Sequence, residues 1–292
     1  MATAIVTPFN QDGSINYDSL KNLIDFQIKS RVDAIVVCAT TGEASTLSYN
    51  EHIKTVEFCC EYVSGRIPVI AGAGSNDTSH AIKLSKKCSA IGVNGLLLVT
   101  PYYNKCSQDG LVEHYFKIAD SVSAPIIVYN VPQRTGLNIL PKTYEKLSKH
   151  DNIVAVKEAN GNISSIAKTI ALCKDDLCIY SGNDDQTLPI LSLGGRGVIS
   201  VVSNIIPDVT SKLCHYFLQG DIESSRKMQL EYLELCEAVF YDINPMPIKY
   251  ALNLMGYNVG NCRLPLTSLN NENRDLIRKC LEKYRLIGTE SP

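Results

Sequence analysis

Ile153-Val154-Ala155-Val156-Lys157 is a run of four apolar residues closed by a lysine. Strands with one wet face alternate apolar and polar side chains, whereas a run apolar nearly throughout fits a strand covered on both faces of a parallel sheet. Seven further runs of this kind occur, at residues 4–6, 34–37, 68–71, 95–99, 125–129, 177–181 and 197–201. Amphipathic segments with readable ends lie between them. Ser48-x-x-Glu51 forms a capping box ahead of Ile53, Val56, Cys60 and Val63 at helical spacing. Pro141 and Pro207 suit first-turn positions, and Ile163, Ile166, Ala167 and Ile170 share one helix face. Eight strand–helix units in about 220 residues predict an α/β chain folded as a (β/α)8 TIM barrel rather than a doubly wound sheet. From Asp221 onward only helical patterns follow, broken at Asn244-Pro245-Met246-Pro247. The expected division is a catalytic barrel over residues 1–220 and a C-terminal helical appendage over residues 221–292.

A net charge of −2 gives no electrostatic reason to expect nucleic acid or an anionic membrane as partner. The longest apolar runs are far too short to cross a bilayer, and the first residues carry no basic leader or long apolar core. The eleven cysteines are odd in number and scattered, without Cys-x-x-Cys spacing or a nearby histidine at zinc-ligand spacing. Reduced thiols in a cytoplasmic protein and no metal site are the expectation.

In such a barrel the chemistry gathers at the C-terminal ends of the strands. Those ends carry Thr7, Thr40-Thr41-Gly42-Glu43, Gly72, Thr100-Pro101-Tyr102-Tyr103, Tyr129-Asn130, Lys157-Glu158, Ser181-Gly182-Asn183 and Ser200. Lys157 is the unusual member. Desolvation in an apolar mouth lowers an ammonium's pKa, and the neutral amine can attack a carbonyl to form an imine. The competing reading is a lysine that snorkels outward and pairs with Glu158. Tyr129 and Tyr103 offer phenols and Thr40 a hydroxyl for proton relay, although a tyrosine is as often an amphipathic core residue. The turn at Thr41-Gly42 could aim amides at a carboxylate. Arg134 offers a fork for one, or is a solvated loop arginine. Gly194-Gly195-Arg196-Gly197 precedes a strand, the wrong end for a phosphate cradle, and reads as a tight turn.

Ala39-Thr40-Thr41-Gly42-Glu43, Tyr129-Asn130-Val131-Pro132 and Val156-Lys157-Glu158-Ala159, in this order, resemble the pyruvate-dependent class I aldolase (N-acetylneuraminate lyase) family. The likeness covers essentially the whole chain, including Asn244-Pro245 and Arg263-Leu264-Pro265-Leu266. It implies a Schiff-base lyase with Lys157 as the imine lysine and no cofactor beyond that covalent imine with pyruvate. Thr40, Tyr103 and Tyr129 match the family's proton relay, with Tyr103 reaching in from a neighbouring subunit. Thr41 with Thr40 matches the pyruvate-carboxylate site, and Gly182 and Ile199 match backbone positions lining the pocket. Arg134, two residues beyond Val-Pro, matches the branch whose second substrate is L-aspartate 4-semialdehyde, a step toward diaminopimelate and lysine; sialic-acid lyases lack it. A homotetramer built as a dimer of dimers is implied. The runner-up is another pyruvate-dependent aldolase, of the N-acetylneuraminate lyase or keto-deoxy-sugar-acid type, and a silent keto-acid sensor is a third reading.

Two departures stand out. Ala39 replaces the family's usual glycine. Positions matching the feedback site for lysine are Ala44, Ser45, Tyr49, His52, Asn76, His80 and Tyr102. Sensitive members often carry His where this chain has Tyr49 and Glu where it has His80, so weak or absent lysine inhibition is expected.

Overall fold

A computed structural model describes residues 1–288 and contains a closed barrel of eight parallel strands in sequence order. They are β1 (Ala2–Ala4), β2 (Ala34–Val37), β3 (Val69–Gly72), β4 (Gly95–Val99), β5 (Ile126–Asn130), β6 (Ile153–Glu158), β7 (Cys178–Ser181) and β8 (Gly197–Ser200). One strand is displaced by two residues from its sequence reading, where the bounds of the others move by at most one. Residues 4–6 were expected to form the first, yet β1 starts two residues earlier, in register with Ala34. The Val6 amide leaves the ladder and donates to the Asn204 side chain at 3.2 Å. Apolarity persists past the strand because Ile5 and Val6 pack outward against the helices.

Side chains alternate across each strand and so separate into two layers. Ala2, Ala4, Ala34, Val36, Leu97, Ile127, Ala155 and Ile199 fill the barrel axis. Ile35, Val37, Leu96, Leu98, Val128, Val156 and Val198 face the helical shell. Burying both sets accounts for runs that read as continuously apolar.

The helix Tyr49–Val63 begins at the capping box, Ser48 and Glu51 satisfying each other's backbone amides. Pro141 and Pro207 occupy first-turn positions. Gly194, in the left-handed region, closes the turn before β8, whose Gly195 amide donates to Ile190 O. After β8 the described chain is helical: Pro207–Leu218, Ile222–Glu231, Leu233–Ala238, Met246–Leu254 and Asn271–Lys283. Residues 289–292 of the expected appendage lie outside the described residues. The helices beyond residue 221 share one continuous core with the barrel shell through Leu235, Val239, Ile248, Leu252 and Ile277.

Candidate active site

The register of β6 against β5 places Lys157 toward the axis, where it is 3% exposed. Its register partner on β5 is Tyr129, and its ammonium lies 4.5 Å from the centre of that ring. Burial pulls the Lys157 pKa down from 10.5 to about 8; the Asp184 carboxylate opposes the fall and the Arg134 charge adds to it. Snorkelling is excluded by that burial, and Glu158 is on the other side of the wall. Burial also pushes the Tyr129 phenol up, partly offset by Arg134 and the Thr40 hydroxyl. The phenol therefore holds its proton at neutral pH.

Beside Tyr129 opens a cavity of about 480 Å³ lined in part by Ala39, Thr40, Leu97, Val99, Tyr129, Val131 and Arg134. The turn after β2 forms one wall. Its amides at Thr40 and Thr41 donate to no backbone acceptor among the described residues, while Glu43 N returns to Thr40 O at 3.1 Å. Gly72 lets β3 approach this turn: a Cβ there would stand 2.2 Å from the Cys38 carbonyl oxygen. Arg134, in the short helix Pro132–Thr135, is exposed and donates to the Asn244 carbonyl at 3.4 Å.

Not every expected site residue meets there. Tyr103 is 92% exposed with φ of +70°, outside the cavity of its own chain. Gly182 and Ile199 are buried at the ends of β7 and β8 but do not line the cavity, and neither do the buried Lys157 and Thr41. The Gly182 amide donates to Glu158 O at 2.7 Å, and a Cβ would meet that of Ala159 at 2.7 Å. Of the lysine-site equivalents, Ala44, Ser45, Tyr49, His52, His80 and Tyr102 line the same cavity, whereas Asn76 does not. His80 stands edge-on to Tyr49, and His52 Nε2 is 2.8 Å from Gly72 O. No carboxylate lines this cavity among the described residues.

Three buried ionic groups around the site have roles that local sequence did not indicate. Glu158 faces outward from β6, behind Lys157. It accepts from Asn130 Nδ2 at 2.9 and 3.2 Å, from the Tyr144 hydroxyl at 2.6 Å and from Asn160 N at 2.9 Å. Burial raises it to about 7 despite these donors. Asp184, after β7, accepts the Val201 and Val202 amides, each at 3.0 Å, and fixes the chain leaving β8. Lys249 pairs with Glu43 at 2.8 Å beneath the turn. Glu158 adjoins Lys157 in a motif already singled out, so its burial could have been inferred from strand alternation; the other two pairings join distant segments.

The chain is similar over nearly its whole length to known proteins. The model of the dihydrodipicolinate synthetase family matches residues 1–284. A 4-hydroxy-tetrahydrodipicolinate synthase of Caldicellulosiruptor bescii is 52% identical over 98% of this chain and 97% of its own. One of Clostridium acetobutylicum is 52% identical over 98% and 97%. Among solved structures, dihydrodipicolinate synthase of Thermotoga maritima superposes with a TM-score of 0.96 at 42% identity, covering 98% of both chains. The Acinetobacter baumannii synthase complexed with pyruvate does so with a TM-score of 0.96 at 38% identity, again covering 98% of both. The chain belongs to the dihydrodipicolinate synthetase family.

Proposed function

We propose that this protein condenses pyruvate with L-aspartate 4-semialdehyde, through an imine on Lys157, to give 4-hydroxy-tetrahydrodipicolinate. The family and the named relatives support the reaction. The observation that carries the chemistry is a buried amine, lowered to about 8, in register with a protonated phenol beside an open cavity.

The neutral Lys157 amine attacks the pyruvate carbonyl carbon, and water leaves as the imine forms. Tyr129 and Thr40 pass the protons that the departing hydroxyl needs. The imine draws electrons from the methyl carbon; loss of a proton there gives an enamine, which attacks the aldehyde carbon. The amine of the semialdehyde then displaces Lys157 by attack on the imine carbon, closing the ring and freeing the enzyme. The amides and hydroxyls of Thr40 and Thr41 hold the pyruvate carboxylate. The Arg134 fork takes the carboxylate of the second substrate, and Gly182 and Ile199 shape the backbone around the imine.

Tyr103 completes the relay in the mouth of a neighbouring copy, within a homotetramer made of two dimers. Its exposure and left-handed backbone support this role, since such strain persists where function needs it. The protein works in the cytoplasm, where its thiols stay reduced.

Borohydride reduction in the presence of pyruvate, followed by peptide mapping, tests the reading. It should attach the pyruvate skeleton to Lys157; turnover with that peptide unmodified would sink it. Arg134→Ala separates this substrate from other aldehydes: unaltered kcat/KM for the semialdehyde removes Arg134 from its role.

A further inference from the structure

The turn at residues 40–43 is held in place from the far end of the chain. Glu43 sits in the left-handed region with φ of 55°, an unusual state for a residue with a side chain. Its carboxylate is buried and held on both oxygens. Oε1 takes Lys249 Nζ at 2.8 Å, and Oε2 takes the Arg263 amide at 2.9 Å. Lys249, in the helix Met246–Leu254, is 1% exposed. Its other protons go to the carbonyls of Thr7 at 3.0 Å and Asn261 at 2.9 Å, and it lies 4.3 Å from the Phe9 ring centre. Asn244, just before that helix, donates to the Thr41 hydroxyl at 3.0 Å. Thr7, after β1, donates its hydroxyl to Gly42 O at 2.7 Å.

We propose that the C-terminal segment positions the carboxylate-binding turn, with Lys249 fixing Glu43 from below and Asn244 fixing Thr41 from the side. This rests on the assignment of the pyruvate carboxylate to Thr40 and Thr41. Neither Lys249 nor Glu43 lines the cavity, so their action is on geometry. A buried pair held this way is a poor source of stability, because apolar or neutral replacements of both partners are often tolerated while loss of one strands a charge. What the pair provides is a single conformation for a strained turn.

The test is steady-state kinetics of the full chain carrying both Glu43→Gln and Lys249→Met, a substitution that leaves no buried charge stranded. Positioning requires KM for pyruvate to rise about tenfold while kcat stays within about threefold, since ground-state binding of one substrate is what the turn supplies. Lys249→Arg, which keeps the charge, should restore part of the affinity when Glu43 is retained. An unchanged pyruvate KM in a folded double variant overturns the proposal. If the double variant does not fold, Asn244→Ala is read the same way: a raised pyruvate KM supports positioning by the tail and an unchanged one overturns it. Thr41→Val separates the two layers of argument. If it leaves the pyruvate KM unaltered, the carboxylate assignment has failed; if it raises KM and the tail variants do not, only the positioning inference has.

Discussion

Replacing Lys157 by methionine should abolish activity and make the protein more stable. The lysine is fully buried and titrates at about 8 instead of 10.5. At about 1.4 kcal/mol per pH unit, its charged form costs the folded state about 3 kcal/mol near neutrality, a figure that already contains the attraction of Asp184. Between pH 8 and 10.5 the unfolded chain binds more protons than the folded one, so wild-type stability rises with pH across that window. Methionine keeps the length of the stem and removes the charge. The variant's advantage should therefore be about 3 kcal/mol at neutral pH, about 1 kcal/mol at about pH 10, and absent above the unfolded value. Other groups that titrate in this range are common to both proteins and cancel in the difference. Urea unfolding of both at matched concentration, at neutral pH and near pH 10, measures it. A variant no more stable than wild type at neutral pH, or an advantage that does not shrink with alkalinity, would refute the claim that burial keeps this amine ready.

Tyr129→Phe should lower kcat by about 10²–10⁴, the range of a lost proton donor, while borohydride still labels Lys157; a wild-type kcat removes the phenol from the relay. Glu158→Gln places an amide against Asn130 and Asn160, which are themselves donors, and should cost about 2 kcal/mol in chemical denaturation; a neutral result would show that the network is not needed. Glu51 is held near 2 chiefly by its hydrogen bond from Arg263. Its stabilisation is present above about 4.5 and lost as pH falls through 2, so Glu51→Gln should cost about 1 kcal/mol at neutral pH, allowing for partial exposure, and nothing near pH 2. Lysine should inhibit weakly or not at all, because its ammonium finds no carboxylate in the cavity lining; half-maximal inhibition at submillimolar lysine contradicts this.

The barrel was legible because eight buried strands leave eight apolar runs, and the site because polar residues interrupt those runs where the strands end. Lys157 follows Val156 and Thr40 follows Ala39 in that way. The first strand misled because Ile5 and Val6 stay apolar past the end of β1, buried by the shell. The support beneath the turn was not legible, since Glu43 and Lys249 are 206 residues apart and no local pattern couples them. Tyr103 carries a different difficulty: it is almost fully exposed and stands outside the cavity of its own chain, so the motif that singled it out does not bring it to the other site residues.

The inward aim of Lys157 depends on a feature that an unbroken apolar run conceals. Ile153 faces the helical shell, and strict alternation from there would send Lys157 outward as well. Ile126 pairs with Ile153 but the next residue, Ile127, pairs with Ala155, so Val154 is an extra residue bulged out of the ladder and 39% exposed. A bulge shifts the phase of everything after it by one. Ala155 and Lys157 then face the axis beside Ile127 and Tyr129, while Val156 and Glu158 face the shell beside Val128 and Asn130. Deleting Val154 removes the bulge and its extra residue together, so Ala155 and Lys157 keep their places opposite Ile127 and Tyr129 and the amine still faces the axis. Such a protein, if it accumulates folded, should still form a borohydride-trapped adduct with pyruvate at this lysine; a folded variant without the adduct would refute the reading of Val154 as the residue that the ladder leaves out.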